Sequence, residues 1–495
     1  MSDTSRFPHP VYKRTVLAPL FEGAKAHYVD AIRSINRAHL VMLRETEILP
    51  GETACLIARA LVDIDETIDV SSLTYTGEHE DYFFLVEAEL KKRIGSDVAG
   101  SLHTARSRND MDHTVFKLAL KSRTDRMIDQ AQALADVLIE KATAQRDILI
   151  VAYTHGQPAQ PTTFGHYLAA ALEVLLRDIN RLEAAWQNLD HCPMGAAAIT
   201  TSGFPIDRNQ MAMLLGFAEP LRNSYGCIAS VDYVTGLYSA IRLMFLHLGR
   251  LIQDLQFWTA FEVGQLYIPN SLVQISSIMP QKRNPVPIEH MRHLASVACG
   301  KCETIINTMH NTPFTDMNDS EGEVQQTGYG AFEHGGRVIE LLAALIADCS
   351  IRPDQVNKNI DASCITVTEL ADTLVRFEDL SFRQAHEIAA ETARFVIEKQ
   401  KPLKGGYDAF CDAFRRFAGH DSKLDRTDFE SAVSARTFVA VRNRTGGPAP
   451  EAMDAALVHY RQELENSRNN CLARHARETQ AAALLDAAFN ALMQE

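Results

Sequence analysis

Residues 168–186 read LAAALEVLLRDINRLEAAW, and within them Leu168, Ala171, Leu172, Leu175, Ile179, Leu182 and Trp186 fall at spacings of three and four. That period places them along one stripe of an α-helix, the face that packs against a neighbour. The same period recurs in Ile128, Ala131, Ala135, Leu138 and Ala142, and in Ile228, Val231, Val234, Ile241, Phe245, Leu251 and Leu255. The last run has few polar positions, which predicts a long helix buried on most sides. Pro287 to Met309 and Tyr329 to Asp348 are two further long candidates. Helices well beyond the usual length of about 11 residues predict a bundle.

Working outward, the punctuation delimits these helices. Pro158, Pro161, Pro193, Gly203, Pro205, Pro280, Pro285, Pro287 and Pro313 mark breaks between them. They leave a central block, residues 110–360, of five long helices. A helical unit over 1–109 precedes it, and a helical unit over 361–495, with loops at Lys404–Tyr407 and Gly446–Pro450, follows. Three units suit a chain of 495 residues at about 150 residues per domain. Period-two patterns are scarce, so the expected fold class is all-α. One short strand pair is expected near Gly195–Pro205.

The formal net charge of −14 argues against nucleic acid or an anionic membrane surface as a partner, since neither attracts an acidic protein. A small anion is still admissible, because it responds to the local charge of its cleft. Nine cysteines are dispersed from Cys55 to Cys471, unlike a secreted disulfide framework. Cys299 and Cys302 form a lone C-x-x-C, which at helical spacing reads as two small side chains on one face. Met1 to Arg14 lacks the apolar core of a signal peptide, and no apolar run approaches the ~20 residues that span a bilayer. A cytoplasmic protein is expected. Neither a glycine-rich phosphate loop nor a set of metal ligands at a recognised spacing occurs, so no cofactor and no metal are expected.

Three polar clusters interrupt the helical pattern. The first, Ser101-Leu102-His103-Thr104-Ala105-Arg106-Ser107-Arg108-Asn109-Asp110, precedes a long helix. Its arginines, with Ser107 and Asn109 at a helix start, suit a carboxylate, which Arg grips with a bidentate fork. The second, Tyr153-Thr154-His155-Gly156-Gln157-Pro158-Ala159-Gln160-Pro161, holds a histidine in a rigid turn, where it can exchange protons near neutral pH. The third, Ser276-Ser277-Ile278-Met279-Pro280-Gln281-Lys282-Arg283-Asn284-Pro285, combines tandem hydroxyls, two cations and an amide ahead of Glu289. That composition reads as a loop that closes on a ligand. Taken singly, each cluster also has a plain structural reading as a capped helix start, a loop histidine or a helix connection.

The 276–285 stretch resembles the signature of the fumarase/aspartase superfamily. His-Thr-Ala-Arg-Ser-Arg-Asn-Asp at 103–110 and Thr-His-Gly-Gln-Pro-Ala-Gln-Pro at 154–161 resemble its argininosuccinate lyase branch. Weaker echoes run through Pro193-Met194-Gly195, Phe204 to Arg208, Asn223-Ser224 with Asp232, Glu369 to Asp372 and Phe382 to His386. The resemblance implies a three-domain helical fold whose five-helix bundle assembles into a tetrameric core, with each active site shared by three subunits. It implies a carbon–nitrogen lyase releasing fumarate and an amine or amino acid from an N-substituted aspartate. By resemblance Ser276 is the base, Lys282 stabilises its alkoxide, and His155, oriented by Glu289, is the acid. Ser107, Arg108, Asn109, Thr154, Gln157, Ser277, Met279 and Asn284 would then surround the substrate. No metal, nucleic acid or membrane is implied.

The sequence departs from the family pattern in three places. Ile275 stands where a glycine usually precedes the serine pair, and Ala105 where one usually precedes Arg-Ser-Arg-Asn-Asp. Ile275 is expected to stiffen the loop hinge, because Ile avoids positive φ. The stretch Phe314-Thr315-Asp316-Met317-Asn318-Asp319-Ser320-Glu321-Gly322-Glu323-Val324 lacks the family's Tyr, Gln and Lys and carries more carboxylates. Such a pocket suits a cationic amine better than an amino-acid carboxylate. The expected substrate is therefore a different N-substituted aspartate, as for ethylenediaminedisuccinate lyase, with argininosuccinate as the alternative. A non-catalytic crystallin-like role would discard the Ser, Lys or His, all of which are present. An adenylosuccinate lyase would need a nucleotide phosphate site.

Overall fold

The computed structural model describes residues 7–494, so the first six residues of the Met1–Arg14 stretch lie outside it. Helices α1 (Val29–Glu45), α2 (Gly51–Thr67) and α3 (Tyr82–Ile94) lead into α4 (Arg108–Ala144). A hairpin, β1 (Leu149–Thr154) and β2 (Gln157–Thr163), turns the chain into α5 (Phe164–Leu189). Next come α6 (Asp232–Thr259), the two-residue strands β3 (Gln274–Ile275) and β4 (Arg283–Asn284), α7 (Val286–Thr308) and α8 (Gly322–Asp348).

The five long helices α4 to α8 pack in chain order around a ring that closes where α8 meets α4. Their apolar stripes explain the closure. Leu134 of α4, Leu172 of α5, Ile241 of α6, Ile288 of α7 and Ile339 of α8 are each 0% exposed, which removes their apolar surface from water. Gly335 lets α8 approach α6, since a Cβ there would lie 2.3 Å from the Phe245 ring. The apolar run that starts at Ile228 is two helices. A short helix, Gly226–Ala229, ends at Ser230, whose backbone is extended (ψ 133°) and whose hydroxyl donates to Gly226 O at 2.6 Å.

Cross-ties give the bundle its polarity. Near one end, His113 at the start of α4 meets Tyr233 at the start of α6, with Nδ1 and Oη 3.1 Å apart. At the other end Lys141 Nζ donates to Cys349 O at 2.7 Å, just past α8. The hairpin sits at this second end. Tyr153 packs edge-on against Phe257, and the Gln265 carboxamide bonds both the N–H and the C=O of Val151.

The strand pair expected at Gly195–Pro205 is absent among the described residues. Gly195, Ala197, Ala198 and Thr201 all have positive φ, which turns the chain too sharply for a ladder. The hairpin formed instead over residues 149–163.

Residues 364–433 close a separate core around Leu374, Ile388, Phe410, Phe414 and Phe429. Helix α9 (Val367–Glu378), α10 (Phe382–Glu398) and α11 (Tyr407–Ala418) build it. The 43-residue helix α12 (Pro450–Leu492) leaves that core and lies along α5, α4 and α1, adding Met453, Leu457, Leu464 and Phe489 to the main one. Arg474 and Asp125 pair at 3.3 Å in this contact. Cys299 and Cys302 are free thiols on α7. No helix among the described residues is long and apolar enough to cross a membrane.

Just before α4, Ala105 adopts φ 58°. A Cβ in this left-handed region crowds the backbone and costs about 1 kcal/mol or more, which glycine avoids. Ala105→Gly is therefore expected to raise stability by roughly 0.5–1 kcal/mol, the relief of crowding less the added chain entropy. A higher urea midpoint with an unchanged slope checks this, and a lower midpoint would contradict it.

Candidate active site

At the start of α4, Ser107 caps the helix and Asp110 completes a capping box. Asp110 is 0% exposed; it accepts from Ser107 N at 2.9 Å, Gly195 N at 2.9 Å and Ala197 N at 3.1 Å. Ser107 Oγ donates to Asn109 Oδ1 at 3.2 Å. The sequence-derived substrate residues Ser107, Arg108 and Asn109 thus form one half-buried, hydrogen-bonded group. Arg106 lies beneath them with Nη1 on Asn36 Oδ1 at 2.8 Å, its pKa pushed down to about 10 by burial. Arg108 is held between acids, 2.7 Å from Asp81 and 3.1 Å from Asp112.

The structure adds a group here that spacing along the chain did not reveal. Asp112 and His113 of α4 face Asp316 and Glu321 of the α7–α8 connection, more than 200 residues away. Burial, with repulsion from Asp81 and Asp316, raises Asp112 to about 6 despite the attraction of Arg108. Burial, then Asp112 and Asp316, raises Glu321 to about 9. Burial lowers His113 to about 4. Arg108, Asp112 and Glu321 line a cavity of about 440 Å³, whose other walls include Tyr28, Tyr82 and Phe83.

At the opposite end of the bundle, His155 and Gly156 are the two turn residues between the paired Thr154 and Gln157. Both have positive φ, 54° and 72°, as a type I′ hairpin turn requires. This turn projects the His155 ring from the tip of a rigid hairpin. Thr154, His155 and Gln157 are exposed.

The Ser276 loop is at the same end. Its base is the β3–β4 ladder, which pairs Gln274 with Asn284 and Ile275 with Arg283. Ile275 is extended in that ladder, so no positive φ is needed where the family carries glycine. Arg283 anchors the base, donating to Ile268 O at 2.6 Å and lying 5.0 Å from the Tyr267 ring. Within the loop, the Met279 and Ile278 amides donate to Ser276 Oγ at 3.1 and 3.4 Å. Lys282 contributes its backbone, donating to Met279 O at 3.0 Å and accepting from Ser276 N at 3.5 Å. Ser277, Met279, Lys282 and Glu289 are exposed and Asn284 is half-buried.

One chain therefore groups these residues at two ends. The 37 residues of α4, at about 1.5 Å each, separate Arg108 from the hairpin by roughly 55 Å. The cavity beside Arg108 includes no residue of 154–157 or 276–289. Among the described residues, His155 and Glu289 form no ion pair within the chain.

A protein-family model described as Lyase matches residues 44–300, just over half of the chain, and one described as Argininosuccinate lyase C-terminal matches 364–440. The chain is 65% identical to Argininosuccinate lyase 2 of Agrobacterium fabrum over 94% of this chain and 92% of that one. It is 31% identical to Argininosuccinate lyase 1 of Shouchella clausii over 90% of each. Among solved structures, an EDDS lyase variant with bound fumarate superposes with TM-score 0.85 at 27% identity, covering 97% of both chains. Family models over both the bundle and the second core, together with near full-length relatives, make this carbon–nitrogen lyase chain a member of the argininosuccinate lyase family of the fumarase/aspartase superfamily.

Proposed function

We propose that the protein cleaves argininosuccinate to arginine and fumarate. The observation that carries this reading is the 65% identity, over nearly the whole length of both chains, to a protein named argininosuccinate lyase. It displaces the expectation of a different amine drawn from the 314–324 stretch. A second reading, an ethylenediaminedisuccinate-type lyase, draws on the likeness to the EDDS lyase structure.

The chemistry follows from the groups present. A proton leaves the carbon beside a carboxylate, the carbon–nitrogen bond breaks, and the electron pair departs with nitrogen, which must gain a proton. Ser276 takes the first proton. A seryl oxygen is far too weak a base in water, but here two loop amides aim at Oγ and stabilise its anion. The ammonium of Lys282, brought in by closure of the exposed loop, adds to that effect. His155 delivers the second proton or relays it, with Glu289 orienting its ring. Ser107, Arg108, Asn109, Thr154, Gln157, Ser277, Met279 and Asn284 hold the two ends of the substrate.

Assembly supplies the missing proximity. The two ends of the bundle are too far apart to share a substrate, so a second chain packed antiparallel must bring its Arg108 end to the His155 and Ser276 end. Leu243 and Leu246 of α6 are 38% and 45% exposed, and open space surrounds Gly236 of α6 and Gly300 of α7. An apolar, small-residue face of this kind suits helix packing between copies. A homotetramer with each site shared by three subunits completes the proposal.

The deciding assay supplies argininosuccinate and follows fumarate formation by ultraviolet absorbance, with N-substituted aspartates of diamines in parallel. Efficient release from argininosuccinate supports the proposal; turnover of the diamine adducts alone overturns it in favour of the second reading. Ser276→Ala is expected to abolish fumarate release while gel filtration and circular dichroism stay unchanged; near-normal turnover removes Ser276 as base. His155→Asn keeps the positive φ, which Asn tolerates, and is expected to lower kcat by about 100-fold or more, the scale of general acid–base loss. An unchanged kcat assigns the acid elsewhere.

A further inference from the structure

The group formed by His113, Asp316 and Glu321 has a composition and a geometry that proton chemistry on the substrate does not call for. One ring nitrogen of His113 and one oxygen each from Asp316 and Glu321 lie within 4.8 Å of one another. His113 is 0% exposed, and its Nε2 has no hydrogen-bond partner. A bare ring nitrogen in that position costs free energy unless something binds it. Among the described residues, Asp316 Oδ1 is likewise buried and has no N–H donor; the one group bonded to the Asp316 carboxylate from across the site is a second acid, Glu321. The other nitrogen of His113, Nδ1, is 3.1 Å from the hydroxyl of Tyr233, itself 3% exposed. A histidine whose Nδ1–H is held by an oxygen presents a lone pair at Nε2, the arrangement that fixes metal-binding imidazoles.

From this geometry we infer a binding site for a divalent transition ion of the zinc class, with His113 Nε2 and one carboxylate oxygen each of Asp316 and Glu321 as ligands. One imidazole and two carboxylates suit zinc, cobalt or manganese. Ligand atoms now within 4.8 Å need to draw in by about an ångström to reach metal–ligand bonds of about 2.0–2.2 Å. The Asp316 carboxylate comes from a stretch of the connection, 309–317, that belongs to no helix or strand. The nearby Asp112 carboxylate adds negative charge, and a divalent ion would relieve the crowding of these acids beside Arg108. The ligands join α4 to the 309–321 connection, Glu321 being the residue that precedes α8, so the ion would fasten one end of the bundle. The site stands whether or not argininosuccinate is the substrate.

The test uses the untagged, full-length protein, stripped with a chelator and then titrated with zinc or cobalt in a calorimeter. One equivalent per chain is expected, with a rise in melting temperature and, for cobalt, visible d–d bands. Asp316→Asn and Glu321→Gln preserve shape, so circular dichroism should match the parent while affinity for the ion falls at least ~30-fold and the thermal shift disappears. Tyr233→Phe removes only the group that orients His113 and is expected to weaken binding by roughly 10–100-fold. The inference is overturned by absence of a one-equivalent site, or by binding that all three variants leave unchanged. It is equally overturned if the stripped protein refuses zinc yet binds putrescine or arginine in a manner these variants abolish, since the acids then form an organic-cation subsite.

Discussion

A single buried carboxylate, Asp110, holds one end of the bundle in register. It accepts from three backbone N–H groups, one on its own loop and two on the turn at 195–197. A fully buried charge is costly unless its lone pairs are used, and here the requirement is met by backbone from two segments far apart in the chain. The result fixes the start of α4, the direction in which Ser107, Arg108 and Asn109 face, and the place where the 193–201 turns lie. The acids on the α7–α8 connection meet α4 two and three residues further on, at Asp112 and His113. The left-handed Ala105 fits the same picture: the chain accepts local strain so that the capping loop reaches its anchors.

The bundle was legible because long apolar stripes at helical period admit few other readings. Leu168 through Trp186 and Ile128 through Ala142 fall within α5 and α4, and the Pro287–Met309 and Tyr329–Asp348 candidates fall almost wholly within α7 and α8. The hairpin at 149–163 was not legible. Pro158 and Pro161 disfavour a strand, yet this is an isolated two-stranded ribbon, where a missing N–H need not disturb a ladder. The Gly195–Pro205 segment misled in the opposite way: a strand pair was expected there, whereas four of its residues take positive φ.

The candidate site was legible as chemistry and not as geometry. Its clusters stand out because hydroxyls, amides and cations are packed where apolar residues would otherwise be. Sequence order cannot say that Ser276 Oγ receives two amides, since that depends on how the loop folds back over Pro280. Nor can it say that His113 turns toward Asp316 and Glu321. On the sequence, His113 is one polar residue in a helix, and the acids of 314–324 read as a pocket for a cationic amine with no histidine beside them. Only the ring closure of α4 against α8 brings them together.

Helix α4 contains no proline and no glycine between Arg108 and Ala144, and so it has no joint. Conformational change inside one subunit cannot carry Arg108 to the tip that bears His155. In the proposed site, turnover and association then share one dissociation curve. Dilute subunits would keep their helices and lose the reaction, and a molecule that wedged between α6 faces would act as an inhibitor without entering any substrate cleft.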